Sequence, residues 1–338
     1  MDNRPSNIFD PDFEKEERFF HYTSPAGLYG ILESGCLWAT HYRFLNDERE
    51  LFRARPVIVD AVRGAILAQA AAMKVDHIVK FEEGANLREL SLGEAETIVD
   101  TMYISTLGAT DRSIRGIGHP YVFSAFCCAP NEAEDFGNGA LVHWGTYGKA
   151  GGYALQINPH TIKTLLDLES KRIGNLGSMS RKVSYLGGGQ PPKEVTDWTK
   201  PIANVAKKIV EARLLGQELD KIDVGETLRP FISAICFTKD AFFAPEREAR
   251  IVVIQPHEHM EKVGRYELQV RQSSGITVPY VKLFDGLLFK ECPVERILIG
   301  PHLNNEKRAI ALSAFLKNRG LGHIEVAIST VPYITQLG

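Results

Sequence analysis

From residue 231 to the end, the chain is a close succession of short apolar runs with almost no room for crossover helices between them. FISAICF (231–237), EARIVVI (248–254), GRYELQV (264–270), ITVPYVKLF (276–284), VERILIG (294–300) and HIEVAIS (323–329) all read as strands. Only one segment among them, about 305–319, has the pattern of a helix; Asn304 or Asn305 is its expected cap and Gly320 its stop. Parallel strands need a long crossover, usually a helix, whereas antiparallel ones are joined by short turns. The pattern therefore disfavours a doubly wound parallel sheet. The expected class is α+β, with mixed, mainly antiparallel sheets and flanking helices.

The first half is looser. Further strands are expected at ERFFHYT (17–23), CLWATHYRF (36–44), YVFSAFCCA (121–129), GYALQI (152–157) and RKVSYL (181–186). Ser24 and Pro25 open a helix whose buried stripe is Leu28, Ile31 and Leu32, and Gly35 closes it. Asn46 or Asp47 caps a helical region running towards Met73, which Pro56 is expected to kink or divide. Asn158 and Pro159 start another helix, with Ile162, Leu165 and Leu166 facing inward. The loop GGGQPPKE precedes a helix expected from about Pro201 to Leu219. Residues 1–16, polar and carrying Pro5 and Pro11, read as a mobile lead-in; 17–338 reads as one domain with a mostly helical insertion at about 47–118.

Several function classes drop out. The 39 Lys and Arg against 42 Asp and Glu lack the basic excess of a dedicated nucleic-acid binder. Five cysteines without a CxxC pair, and an acidic N-terminus without an apolar core, lead to the expectation of a reduced, cytoplasmic protein. No apolar run approaches the roughly 18 residues of a membrane span, so no membrane partner is expected. Neither phosphate-loop nor dinucleotide-binding glycine spacing is present, and no G-x-S-x-G elbow offers a nucleophile. His257 and His259 lie two apart in a polar loop without a third ligand, and Cys127 and Cys128 alternate faces on a strand. No metal is expected.

Three constellations remain. On the first strand Phe19, His21 and Thr23 share one face, and Phe20 and Tyr22 the other. In His143-Trp144-Gly145-Thr146-Tyr147-Gly148, expected as a turn, Trp144 and Tyr147 offer either an aromatic wall for a flat ring or a core anchor. In Pro245-Glu246-Arg247-Glu248-Ala249-Arg250, a strand starting at 248 aligns Glu248, Arg250 and Val252 and turns Ala249, Ile251 and Val253 inward. That Glu–Arg pair reads either as a surface ion pair or as a carboxylate held by its neighbour in a cleft.

Taken in order, H-Y-T, I-L-E-S-G, L-W-A-T, F-L-N-D-E-R-E, H-W-G-T-Y-G-K-A-G-G-Y-A-L-Q-I, F-T-K-D-A-F-F-A-P-E-R-E-A-R-I-V and I-G-P…S-T-V-P-Y resemble a widespread bacterial family of domains of unknown function. The likeness runs from about 17 to 333 and misses mainly the helical insertion. That family in turn is similar to the ADP-ribosyltransferase fold in its H-x-T class, which includes RNA 2′-phosphotransferases and DNA-modifying toxins. The resemblance implies an enzyme that consumes NAD as co-substrate. Its candidate residues would be Glu248 as catalytic carboxylate, with Glu246 as the competing choice, and His21, Tyr22 and Thr23 as the NAD clamp. Tyr147, with Trp144 behind it, would be the aromatic wall, and Arg43, Asn46 and Arg250 would contact phosphate or ribose.

Cleaving the nicotinamide–ribose bond builds oxocarbenium character on the sugar, which a carboxylate near the 2′-hydroxyl stabilises. ADP-ribose would pass to a protein, a nucleic acid, a small molecule or water, as a toxin or phage-defence effector would do. Two rival expectations stand beside this one. The first is a non-catalytic nucleotide-sensing or protein-interaction module of the same fold. The second is an unrelated α+β hydrolase or nuclease working through Glu248 and His21.

Overall fold

A computed structural model describes residues 8–9, 18–45, 49–73, 87–107, 120–128, 138–147, 151–173, 178–218, 225–254, 266–273 and 275–331. In chain order the first elements are β1 (Ile8–Phe9), β2 (Phe19–Thr23), α1 (Pro25–Ser34), β3 (Leu37–His41), α2 (Arg55–Ala72), α3 (Leu87–Leu107) and β4 (Pro120–Cys128). There follow α4 (Leu141–Tyr147), β5 (Tyr153–Ile157), α5 (Pro159–Ile173), β6 (Ser178–Lys182), β7 (Ser184–Leu186), α6 (Lys193–Leu214) and α7 (Gly225–Cys236). The last are β8 (Thr238–Asp240), β9 (Glu248–Ile254), β10 (Leu268–Ser273), β11 (Ile276–Leu283), α8 (Leu288–Glu291), β12 (Val294–Ile299), α9 (Asn305–Asn318) and β13 (Glu325–Ile328).

The chain divides into two compact units. The first, Met1–Leu45 with Pro120–Val183 and Ala244–Gly338, holds one large sheet with the path β1-β6-β9-β4-β2-β5-β12-β13. The strands β3, β11 and β10 branch from it at β4. Among the described residues its pairings are antiparallel except β1–β6 and β12–β13, so the mixed, mainly antiparallel α+β class holds. One face carries the main core, where α1 and α5 supply Leu28, Ile31, Leu32, Ile162, Leu165 and Leu166 against Phe19, Leu155, Ile251 and Val281. The Ser24 hydroxyl caps α1 by accepting from the Gly27 N–H at 3.1 Å, as its sequence requires.

The second unit, Asn46–His119 with Ser184–Phe243, contains α2, α3, α6, α7 and the parallel pair β7–β8. Helices α2 and α3, from the expected insertion, thus group with 184–243.

Several local expectations are corrected. FISAICF is the end of helix α7, because a short apolar run has no period of its own and the preceding GETLRP extends it to helical length. Helix α6 starts at Lys193, immediately after Pro192, and encloses Pro201 instead of beginning there. Pro56 does divide its region as expected: a 3-10 turn at Glu50–Phe52 precedes it, and it occupies the first turn of α2, where its missing N–H costs nothing. RKVSYL is two strands: Val183 N–H donates to the Glu248 carbonyl at 2.9 Å while Ser184 N–H donates to Phe237 at 2.8 Å, so the run is divided between sheets. CLWATHYRF leaves the sheet after His41, and residues 42–44 form a 3-10 turn with Arg43 N–H on His41 Nδ1 at 3.4 Å. The strand expected at 264–270 lies later, at Leu268–Ser273. Asn304 stands at the N-cap of α9 without a capping side-chain bond. Within the expected lead-in, Ile8–Phe9 pair in parallel with Met179–Ser180.

A buried carboxylate ties α5 to the β11–α8 turn. Glu169 is 2% exposed, binds Arg172 Nη2 at 2.9 Å and accepts the Phe284 N–H at 3.2 Å. Burial raises its carboxyl above the ordinary value in spite of Arg172. The folded chain therefore holds that proton more tightly than the unfolded chain. This contribution to stability falls as pH rises from the ordinary glutamate range through the raised folded pKa. Urea midpoints taken from about pH 4 to about pH 8 should show a shallower fall in Glu169→Gln than in the wild type.

Candidate active site

The first unit's sheet forks at β4. One edge of β4 pairs with β9 from Pro120–Ile254 to Cys127–Glu248. The other edge is shared: β2 takes one end through Phe19–Cys128 and Phe20–Cys127, and β3 takes the other through Thr40–Val122 and His41–Tyr121. Between those ends β2 and β3 part. At the same level the β4–β9 register jumps from Ser124–Arg250 to Phe126–Ala249, leaving Ala125 as a β-bulge. Bulges of this kind bend a strand and re-aim its neighbours, and they gather beside functional sites.

Helix α1 bridges the two legs of the fork, and two glycines let it do so. A Cβ on Gly27 would collide with Thr23 Oγ1 on β2, and one on Gly30 with the Trp38 ring on β3. Gly30→Ala should destabilise by about 1–3 kcal/mol through overpacking, outweighing the roughly 1 kcal/mol that alanine gains in a helix. Gly64→Ala, on α2 with nothing within 4 Å of its Cβ, should instead stabilise. Urea denaturation of both variants checks the contrast.

Tyr22 joins the first constellation to the second. Its hydroxyl accepts the Ala140 N–H at 2.7 Å, its ring meets Trp144 edge-on at 4.9 Å, and His143 lies 4.7 Å away. Trp144 is 4% exposed and donates through Nε1 to the Asn138 carbonyl at 2.9 Å. Ser329 Oγ donates to the same carbonyl at 2.7 Å, and Thr330 N–H to Asn138 Oδ1 at 2.9 Å. The C-terminal S-T-V run thus pins the entry to α4. Gly139, at φ 72°, leaves room there for Trp144 and the Tyr22 hydroxyl. HWGTY is a helix and not the expected turn, and Trp144 is a packed anchor within it. Tyr147 ends that helix, with its side chain outside the described residues.

The third constellation starts β9. Glu248 and Arg250 point to the same side, and Arg250 binds the carboxylate through two nitrogens, Nε to Oε1 at 2.6 Å and Nη2 to Oε2 at 2.8 Å. Arg250 is fully buried and Glu248 is 5% exposed, so the pair is not a surface ion pair. Arg247, just before it, holds φ 46°, a left-handed conformation that a non-glycine residue adopts only when its surroundings impose it. Glu246 closes the preceding 3-10 turn, off the strand, which distinguishes it geometrically from Glu248.

Parity across the sheet sorts these groups. Phe20, Cys127 and Glu248 lie in one cross-strand row, and Phe20 and Tyr22 pack with Trp144. Phe19, Ala249 and Ile251 belong to the main core on the opposite face, and alternation puts His21 and Thr23 there with them. The structure therefore gathers Tyr22, Trp144, Glu248 and Arg250 on one face and does not bring His21 and Thr23 to it. Arg43 turns its Nε to the Tyr42 hydroxyl at 3.0 Å. Asn46, Asp47, His257 and His259 lie outside the described residues. Sequence reasoning missed His143 as a packing partner of Tyr22 and Arg181, which sits directly across from Arg250 on β6. His143 lay inside a quoted motif, whereas Arg181 carried no local signal.

Among the described residues no cluster of three His, Cys, Asp or Glu could hold a metal, and no helix is long and apolar enough to cross a membrane. No family model, curated protein or solved structure matches the chain. Removing one member of a buried ion pair strands the other. Arg250→Met should thus cost about 3–5 kcal/mol, and adding Glu248→Met should recover most of it; chemical denaturation of single and double variants measures both.

Proposed function

We propose that the chain is an NAD-consuming enzyme of the ADP-ribosyltransferase kind, with Glu248 as its catalytic carboxylate. The observation that carries this reading is the buried Glu248–Arg250 pair beside the bulge and fork of the sheet. Two charges taken out of water gain little stability over apolar residues of the same size. Such a buried pair, next to Arg247 at φ 46°, is the arrangement expected of a carboxylate placed for chemistry.

In this reading Glu248 stabilises positive charge on the ribose as nicotinamide departs, and it orients the acceptor. Arg250 fixes the carboxylate's direction. The Tyr22–Trp144–His143 cluster holds β2 and α4 together and so sets the wall from which Tyr147 would act. His21 and Thr23, on the core side of β2, would reach the ligand only at the fork. The acceptor is a protein, a nucleic acid, a small molecule or water, and a toxin or phage-defence role fits such an activity.

The same pair favours a second reading. A carboxylate engaged at both oxygens and 5% exposed suits a module that binds a nucleotide without turning it over. Nicotinamide release from NAD, measured on purified wild type and Glu248→Gln with cell lysate supplying acceptors, separates the two. The enzyme reading expects release, reduced about 10²–10³-fold by the substitution. Equal release by both proteins removes Glu248 from catalysis. No release, together with a rise in melting temperature on adding NAD, establishes the binding module instead.

A further inference from the structure

The sheet face of Glu248 and Arg250 continues onto the other leg of the fork. Thr40 on β3 pairs with Val122 on β4, Val122 pairs with Val252 on β9, and Val252 has the parity of Arg250 and Glu248. Trp38 shares the parity of Thr40, while Leu37 and Ala39 belong to the main core on the opposite face. Tyr280 on β11 lies directly opposite Thr40, and its ring stands 5.3 Å from that of Trp38. A guanidinium lies over this aromatic pair. Arg271, on β10, reaches across β11, with Cζ 5.2 Å from the centre of the Trp38 ring and 6.0 Å from that of Tyr280. Its Nη2 donates to Thr40 Oγ1 at 3.2 Å, and Thr40 is 8% exposed.

Among the described residues that is the one hydrogen bond of the group, and no carboxylate pairs with it. Its Nε is shut off from solvent without an acceptor. Burial lowers the Arg271 pKa from the ordinary arginine value, and the Tyr280 phenol opposes that shift. Other arginines of the same unit are matched: Arg250 by Glu248, Arg172 by Glu169 and Arg308 by the carbonyls of Gly152 and Gly300. A desolvated cationic donor without an acceptor is costly, and an ion or ligand oxygen is what such a group lacks. Planar guanidinium donors suit phosphate oxygens, which they bind with charge-assisted hydrogen bonds, and stacking on aromatic faces holds them in place.

We infer that Arg271, stacked on Trp38 and Tyr280 and bonded to Thr40, binds the phosphate group of a ligand on the sheet face that also carries Glu248 and Arg250. This goes beyond the NAD reading and does not rest on it. The chemistry required is a phosphate, carried by a nucleotide or free in solution, and no bond is made or broken at Arg271.

The test uses the full chain as wild type, Arg271→Met and Arg271→Lys, with Arg319→Met as the control. Arg319 also lies over a ring, 5.1 Å from that of Phe315, but on an exposed surface. Each protein is melted in sodium phosphate and in sodium chloride of equal ionic strength, and titrated by calorimetry with AMP and with adenosine. Phosphate stabilises any fold somewhat by exclusion from its surface, so the comparison between variants is what counts. The rise in melting temperature from chloride to phosphate should be larger in the wild type and Arg319→Met than in Arg271→Met. In chloride Arg271→Met should melt no lower than the wild type, because it keeps an apolar stem over the rings and removes an uncompensated charge. Arg271→Lys, which keeps the charge and loses the planar donors, should retain part of the extra rise.

AMP bound roughly 10- to 100-fold more tightly than adenosine by the wild type, with the preference lost in Arg271→Met, identifies a nucleotide as the source of the phosphate. An extra rise in phosphate without that preference identifies the free anion, and either result upholds the site. A wild type with neither effect overturns the inference, as does an effect of the same size in Arg271→Met. An Arg271→Met that melts lower than the wild type by the same amount in both salts makes the arginine a packing element and also overturns it. Nicotinamide release bears on the NAD reading alone: its absence leaves an Arg271-dependent phosphate effect standing, and its presence does not rescue the site if that effect is missing.

Discussion

A strand has only two edges, and β4 must serve three partners. Strand β9 occupies one edge along its whole length, so β2 and β3 have to divide the other. Everything around the candidate site follows from that division. The two strands are consecutive in the chain, so the helix between them has to lie across the gap they leave, close enough that Gly27 and Gly30 have no space for a side chain. The bulge at Ala125 takes up the change of register at the same level. A fork of this kind interrupts an otherwise continuous ladder while both ends of β4 stay paired.

The buried ion pair sits where that interruption is felt. In a regular apolar sheet, Glu248 and Arg250 would be a poor use of two central positions, since desolvation offsets most of their attraction. Both carboxylate oxygens of Glu248 are bonded by Arg250 through a bidentate, charge-assisted contact. The aromatic cluster on the same face behaves differently. Tyr22, His143 and Trp144 are bound to one another and to the backbone of Asn138 and Ala140, which makes them the joint between β2, α4 and the C-terminal segment. Motifs that look alike in the sequence thus divide into a charged pair with no structural need and an aromatic set with a clear one.

Much of the fold was legible because local signals agreed with the tertiary outcome. Ser24, Pro25 and Gly35 bracket α1 as their chemistry requires, and the alternation of EARIVVI put Ala249, Ile251 and Val253 on the core side. Failures came where a signal was ambiguous in kind. An apolar run such as FISAICF satisfies a buried helix as well as a buried strand, and a proline such as Pro201 weakens a helix without excluding it. RKVSYL is continuous as a sequence, and nothing in it marks Val183 as the point where one sheet ends and another begins.

For the site, the sequence by itself determined which residue types alternate along β2 and β9, because side-chain direction in a strand depends only on parity. It therefore settled that Glu248 and Arg250 share a face, and that His21 and Tyr22 do not. Only the tertiary structure decided how those faces combine, since that depends on the cross-strand registers linking β2, β4, β9 and β6. Register is a relation between distant segments, and a shift of one residue would exchange every pairing. That is why Tyr22 joins the face of Glu248 while His21 leaves it, and why Arg181, which no local pattern singles out, stands beside Arg250.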